Sequence, residues 1–154
     1  MIPALRPNTE IREKILTLEE RINAYNAENG LAIPACPVLH HFAPGAYCRQ
    51  IFIPKNNLIV GKIHKHAHLN MIMQGRVSVA TEEGVKHYQA PMVLVSQAGT
   101  KRVVYTHEDT IWATVHLTDK TDLVEIEDEI IAKTYDDYDE GLLAYQLMEA
   151  LCPG

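Results

Sequence analysis

The chain has 154 residues, 47% of them hydrophobic, and a formal net charge of −6 from 14 Lys and Arg against 20 Asp and Glu. That is one ordinary domain with enough apolar content for a core, which excludes an intrinsically disordered chain. A net acidic chain is a poor binder of nucleic-acid backbone, and no run of 18 apolar residues exists to span a membrane.

The first predicted element is a helix. Asn8 or Thr9 caps it after Pro7, and Gly30 closes it. Ile11, Ile15, Leu18, Ile22 and Tyr25 recur at spacings of four and three, one narrow apolar stripe along a rod of about 30 Å. The stripe lies either on its own domain or against a second subunit. Residues 31–45 carry three prolines and read as an extended connector. Short strands follow at 47–53, 58–65, 69–81, 85–89, 92–96, 101–106 and 110–118, broken by turn signals such as Glu82-Glu83-Gly84 and His107-Glu108-Asp109. Many short strands without intervening helices predict an antiparallel sandwich or barrel. Helices return at 123–132 and 142–151, separated by polar residues 134–141. The reading is a single domain over 1–154, with a helix in 1–30, a barrel in 45–118 and a helical tail in 119–154.

The tail is acidic. Residues 119–154 hold 11 acids and 2 bases, whereas residues 1–118 have a net charge of +3. The tail is either a solvated surface or a contact for the basic body. Cys36, Cys48 and Cys152 have no C-x-x-C spacing, which argues against a disulfide framework and for a reducing compartment. The N-terminus lacks the apolar stretch of a signal peptide, so a cytoplasmic location is expected.

The densest chemical signal is Gly61-Lys62-Ile63-His64-Lys65-His66-Ala67-His68. Alternate histidines share one face of a strand, and imidazole is the commonest neutral-pH metal ligand. Fully extended, however, His64 and His68 stand about 13 Å apart, so the strand must bend for both to serve one ion. Trp112 reads as core, Met71 and Met73 as barrel filling, Glu108-Asp109 as a hairpin turn, and His40-His41 as surface. His116 offers a third imidazole, but both faces of its strand look buriable, so its direction stays open.

The stretch from His64 through Gly75 to Val79 resembles the first motif of the cupin superfamily, G-x5-H-x-H-x3,4-E-x6-G. Counting back from Gly75, the family's glutamate falls on His68, its second histidine on His64 and its first on Lys62. The second motif, G-x5-P-x-G-x2-H-x3-N, maps onto residues 91–106. Gly99 is kept there, Arg102 replaces the metal-binding histidine and Thr106 the asparagine. The resemblance implies a mainly β fold, a double-stranded β-helix or jelly-roll barrel, flanked here by the N-terminal and C-terminal helices. Short segments (Ile51-Phe52-Ile53-Pro54, and residues 61–65, 98–102 and 108–112) also resemble small uncharacterised proteins of tailed phages and prophages. That implies a host-cytoplasm or virion setting.

Fold does not fix function. The first expectation is a barrel that binds a metal ion or a small anionic ligand without strong catalysis. His64, His68 and His116 are the candidate ligands for a divalent transition metal (Zn, Fe, Mn or Ni). Lys62, Arg102 and Tyr105 are the candidate contacts for an anion, because a guanidinium repels a cation and grips an anion with two prongs. A metal-dependent cupin enzyme of isomerase or oxygenase type is the second, needing an open position on His64, His68 and His116. A structural or virion-associated scaffold is the third. A homo-oligomer is expected from the helix stripe and the open barrel edges.

Overall fold

The computed structural model describes residues 8–30 and 36–151. Cys152 and residues 31–35 of the connector lie outside the described residues. Helix α1 (Thr9–Glu28) starts where its capping signal places it, with the Asn8 side chain accepting from the Ile11 amide. Ten strands then form the body: β1 (Val38–Ala43), β2 (Ala46–Ile53), β3 (Leu58–Val60), β4 (Ile63–His64), β5 (His68–Gln74), β6 (Arg76–Thr81), β7 (Gly84–Gln89), β8 (Met92–Ser96), β9 (Val103–Thr106) and β10 (Thr110–Leu117). After them come α2 (Leu123–Ile130), β11 (Ile131–Ala132) and α3 (Tyr135–Leu151). No described helix is long and apolar enough to cross a membrane.

The strands make a five-stranded sheet, β1-β2-β10-β5-β8, a four-stranded sheet, β3-β9-β6-β7, and a two-stranded pair, β11-β4. All pairs are antiparallel. Ile72 and Trp112 from the first large sheet pack against Val77, Val79 and Val104 from the second. Trp112 is core as expected, and its indole N–H donates to Asn70 Oδ1. The fold is a double-stranded antiparallel jelly roll with helices at both chain ends.

Several elements differ from the sequence reading. Residues 38–43 of the proline-rich connector are a strand, because they pair residue for residue with β2. The run 69–81 breaks at Gly75, whose φ of +95° ends β5; a Cβ there meets the Asp109 carbonyl at 2.6 Å. Helix α3 begins at Tyr135, where Thr134 Oγ1 accepts from the Asp137 amide and starts a helix through residues that read as a polar break. Met71 and Met73 point away from the core, since the inward positions of β5 are His68, Asn70 and Ile72.

Helix α1 lies on its own domain through buried polar contacts as well as its stripe. Arg12 donates from Nε to Glu82 (2.9 Å) and from Nη1 to Asp139 (2.8 Å), with its guanidinium 4.2 Å above the Tyr135 ring. Lys101 reaches Glu19 at 2.6 Å. Ile15 is buried beneath the helix. The acidic tail contacts its own body: Asp139 takes Arg12, Glu127 takes Lys62, and the Asp128 carbonyl takes the Lys65 ammonium.

The tail does more than lie on the outside. Ile126 and Ile130 of α2 cluster with Tyr47 of β2, and Tyr135 packs with Ile63 and Ala132. Leu123, at the start of α2, stays exposed. Burying each large apolar side chain is worth about 1.5–3 kcal/mol. Ile126→Ala is therefore expected to lower stability by about 2–5 kcal/mol, read as a drop in melting temperature by circular dichroism. An unchanged melting temperature contradicts a tail that is integral to the core.

Candidate functional site

Three histidine rings meet inside the end of the barrel covered by α2. The centroids lie 4.2 Å apart for His64 and His68, 5.3 Å for His64 and His116, and 4.9 Å for His68 and His116. The problem of an extended strand is solved by breaking it. Residues 65–67 leave the ladder between β4 and β5, so His64 folds back beside His68. The break is fixed from two sides, by the Gly99 amide on the His64 carbonyl (2.8 Å) and the Lys65 amide on the Ile130 carbonyl (2.8 Å). Gly99 has φ +80°, and a Cβ there meets the Tyr138 ring at 2.5 Å, so this position takes glycine.

His116 faces inward, which settles the open direction of β10. Its cross-strand partner Tyr47 stacks on it at 6.2 Å. Tyr47 also stacks on Phe42 and His40, and its hydroxyl is 2.8 Å from His40 Nδ1. An aromatic column thus runs from exposed β1 to the buried imidazoles. Sequence reading missed Tyr47, although its place opposite His116 in an antiparallel pair was its one available signal.

Arg102 closes the cluster. Its Nη2 donates to His68 Nε2 at 3.1 Å, and its Cζ lies 5.3 Å from the Trp112 ring centroid. The ring nitrogen roles of His68 follow. Nδ1 lies 3.1 Å from the His66 carbonyl, which only accepts, so Nδ1 carries the proton and Nε2 is the acceptor. Two buried polar atoms have no partner in the cluster: His64 Nδ1 and Arg102 Nη1. No ion pair joins Arg102 to a carboxylate among the described residues.

Burial sets the charge state. Loss of water, then His68 and Arg102, pushes His64 down to about 2. His68 falls to about 4 through burial, with Arg102 adding to it, and His116 falls to about 4 through burial and then His68 and Arg102. Burial also lowers Arg102 to about 10, so it remains a cation at neutral pH. The site is one buried positive charge among three neutral imidazoles.

Two expected site residues stand elsewhere. Lys62 is exposed and pairs with Glu127 of α2, because the break before β4 turns it outward. Tyr105 lies on the outer face of the four-stranded sheet with its hydroxyl on Asn56, since Val104 and Thr106 take the inward positions of β9.

The donor set decides how well a metal fits. Neutral imidazoles suit a divalent ion, and the unpartnered His64 Nδ1 is a free donor. His68, however, spends both ring nitrogens, one on a carbonyl and one on Arg102. No three His, Cys, Asp or Glu side chains among the described residues are disposed to hold an ion. A guanidinium at hydrogen-bond distance from a ligand nitrogen opposes a cation, so the arrangement does not fit a metal.

No family model matches the chain, and no curated protein matches it. Solved structures do. Ectoine synthase from P. lautus aligns with a TM-score of 0.52 at 10% identity, covering 64% of this chain and 75% of that one. A double-stranded β-helix protein from Klebsiella pneumoniae aligns at 0.49 with 11% identity, covering 59% and 84%. A cupin superfamily protein from Desulfitobacterium hafniense aligns at 0.48 with 10% identity, covering 56% and 80%. The fold is the cupin double-stranded β-helix. Within that barrel, Gly75 and Gly99 both take positive φ, at the end of β5 and before Arg102.

The depressed histidines make stability depend on pH. Unfolded, each takes a proton near pH 6.5, whereas the folded cluster resists until about 4 or below. Their contribution is complete above about pH 6.5 and is lost as pH falls towards 4, by up to about 1.4 kcal/mol per pH unit for each histidine. His116→Phe keeps a ring in the stack and removes one titrating group. Thermal melts from pH 7 to pH 4 are expected to fall less steeply for the variant than for the wild type. Equal slopes contradict this account.

Proposed function

We propose that this cupin-fold protein binds a small anion, bearing a carboxylate or phosphate group, inside its barrel without strong catalysis. The observation that carries the reading is Arg102, buried as a cation with Nη1 unpartnered and no carboxylate in an ion pair with it. A buried charge lacking a counter-ion is costly, and a guanidinium offers a planar fork to an oxyanion. The neutral imidazoles of His64 and His116 beside it supply further hydrogen-bonding groups at physiological pH. The reading of weak catalysis is supported by the three imidazoles being held at about 4 or below, which makes them poor proton acceptors at neutral pH. The short segments that resemble small phage and prophage proteins support a phage-encoded origin and a host-cytoplasm or virion setting.

Calorimetry at pH 7 with acetate and with inorganic phosphate tests the reading, alongside elemental analysis of the purified protein. Binding of either anion to the wild type, weakened at least tenfold in Arg102→Met, is expected, with the acetate affinity flat between pH 8 and 6 because acetate stays ionised and the histidines stay neutral. Stoichiometric Zn, Fe, Mn or Ni with no anion binding favours the metal-dependent reading instead.

A further inference from the structure

The two large sheets differ on their outer faces. The four-stranded sheet carries polar groups outside beside exposed Val85 and Leu58: Ser78 Oγ lies 2.7 Å from His87 Nδ1 and 2.6 Å from His107 Nε2, and Tyr105 bonds Asn56. The five-stranded sheet is apolar outside over β10, β5 and β8, with His41 and Gln50 a polar pair on β1 and β2. Leu69 is 47% exposed, Val93 64% and Val95 58%, and Leu39 and Met73 are also open to water. Cross-strand register sets these side chains in two continuous rows, Val115–Leu69–Val95 and Ala113–Met71–Val93. The outward positions of all five strands include no Asp, Glu, Lys or Arg. A strand apolar on both faces is the pattern of a strand buried on both faces, whereas an antiparallel sheet with one wet face alternates apolar with polar.

We infer that this face packs against the same face of a second copy of the chain, as a two-fold dimer. The barrel interior covers only one side of the sheet, and α1 and α3 lie elsewhere, on the Glu82 turn and on each other. Five strands at about 4.8 Å spacing, each about six residues long, span roughly 480 Å² in plan. The accessible area of a corrugated face is larger, so two copies together bury on the order of 1,200 Å², within the range of specific interfaces. A patch of this size stands at the upper end of what a monomer exposes, where such patches are often functional. An uncharged face is compatible with its own copy, because no like charges meet across the axis, and two sheets stack about 10 Å apart in an aligned sandwich. The interface therefore sits on the barrel rather than on the stripe of α1, whose Ile15 is buried within its own domain.

The test is light scattering at micromolar concentration. Wild type is expected at twice the 17.3 kDa chain mass. Leu69→Asp combined with Val93→Asp is expected at the single-chain mass, with an unchanged far-ultraviolet spectrum, because both side chains already stand half in water. Leu16→Lys on α1 and Leu147→Lys on α3 are expected to leave the dimer intact. A monomeric wild type overturns the proposal and leaves the face to a different protein. Dissociation by either helix variant, with the double variant still dimeric, overturns it in favour of a helical interface. Should the double variant misfold, Val95→Lys alone, expected to raise the dimer dissociation constant at least tenfold, serves in its place, and an unchanged constant overturns the proposal.

Discussion

The hydrogen bond from Arg102 to His68 governs the site. It fixes which nitrogen of His68 is protonated, occupies the lone pair that a metal needs, and lowers the charging of all three imidazoles. A guanidinium in contact with the three-imidazole cluster sets the electrostatic sense of the pocket. Neutral rings around a buried cation attract negative charge, whereas the same rings around a vacant centre attract a metal.

That arrangement depends on the rest of the fold. Gly99 holds the His64 carbonyl, β11 pairs with β4 at His64, and α2 covers Tyr47 above His116. The acidic tail is therefore part of the pocket's enclosure. Its charges stay outward and meet Lys62 and Arg12 of the body, the Asp128 carbonyl takes Lys65, and Ile126 and Ile130 pack over Tyr47. Exclusion of water in turn depresses the histidines, so packing and protonation are one effect seen twice.

Much of this was legible in the chain. The count from Gly75 finds His64 and His68 because a turn glycine fixes the register of the strand before it, and Gly99 likewise finds Arg102. Lys62 was misplaced because counting assumes an unbroken strand, and the break between β3 and β4 turns it outward to Glu127. Tyr105 was misplaced because the alternation of β9 becomes readable only once Val104 is known to face the core. The direction of His116 was undecidable for a different reason. Ile111, Ala113, Val115 and Leu117 made the outer face of β10 look as buriable as the inner one, and in the folded chain that face is indeed apolar. The same ambiguity misplaced Met71 and Met73 in the barrel interior. A strand apolar on both faces cannot be oriented from its pattern alone, and only the packing of Trp112 and His116 against the interior decides it.

The most direct test of the central claim is the ring nitrogen spectrum of the histidines at pH 7, recorded by long-range ¹⁵N–¹H correlation on the purified protein. The account predicts all three rings neutral, with His68 protonated on Nδ1 and its Nε2 shifted as an acceptor, and the Nε2 shift relaxing in Arg102→Met. His68 protonated on Nε2, or a metal-ligated shift on any two of the three rings, contradicts it.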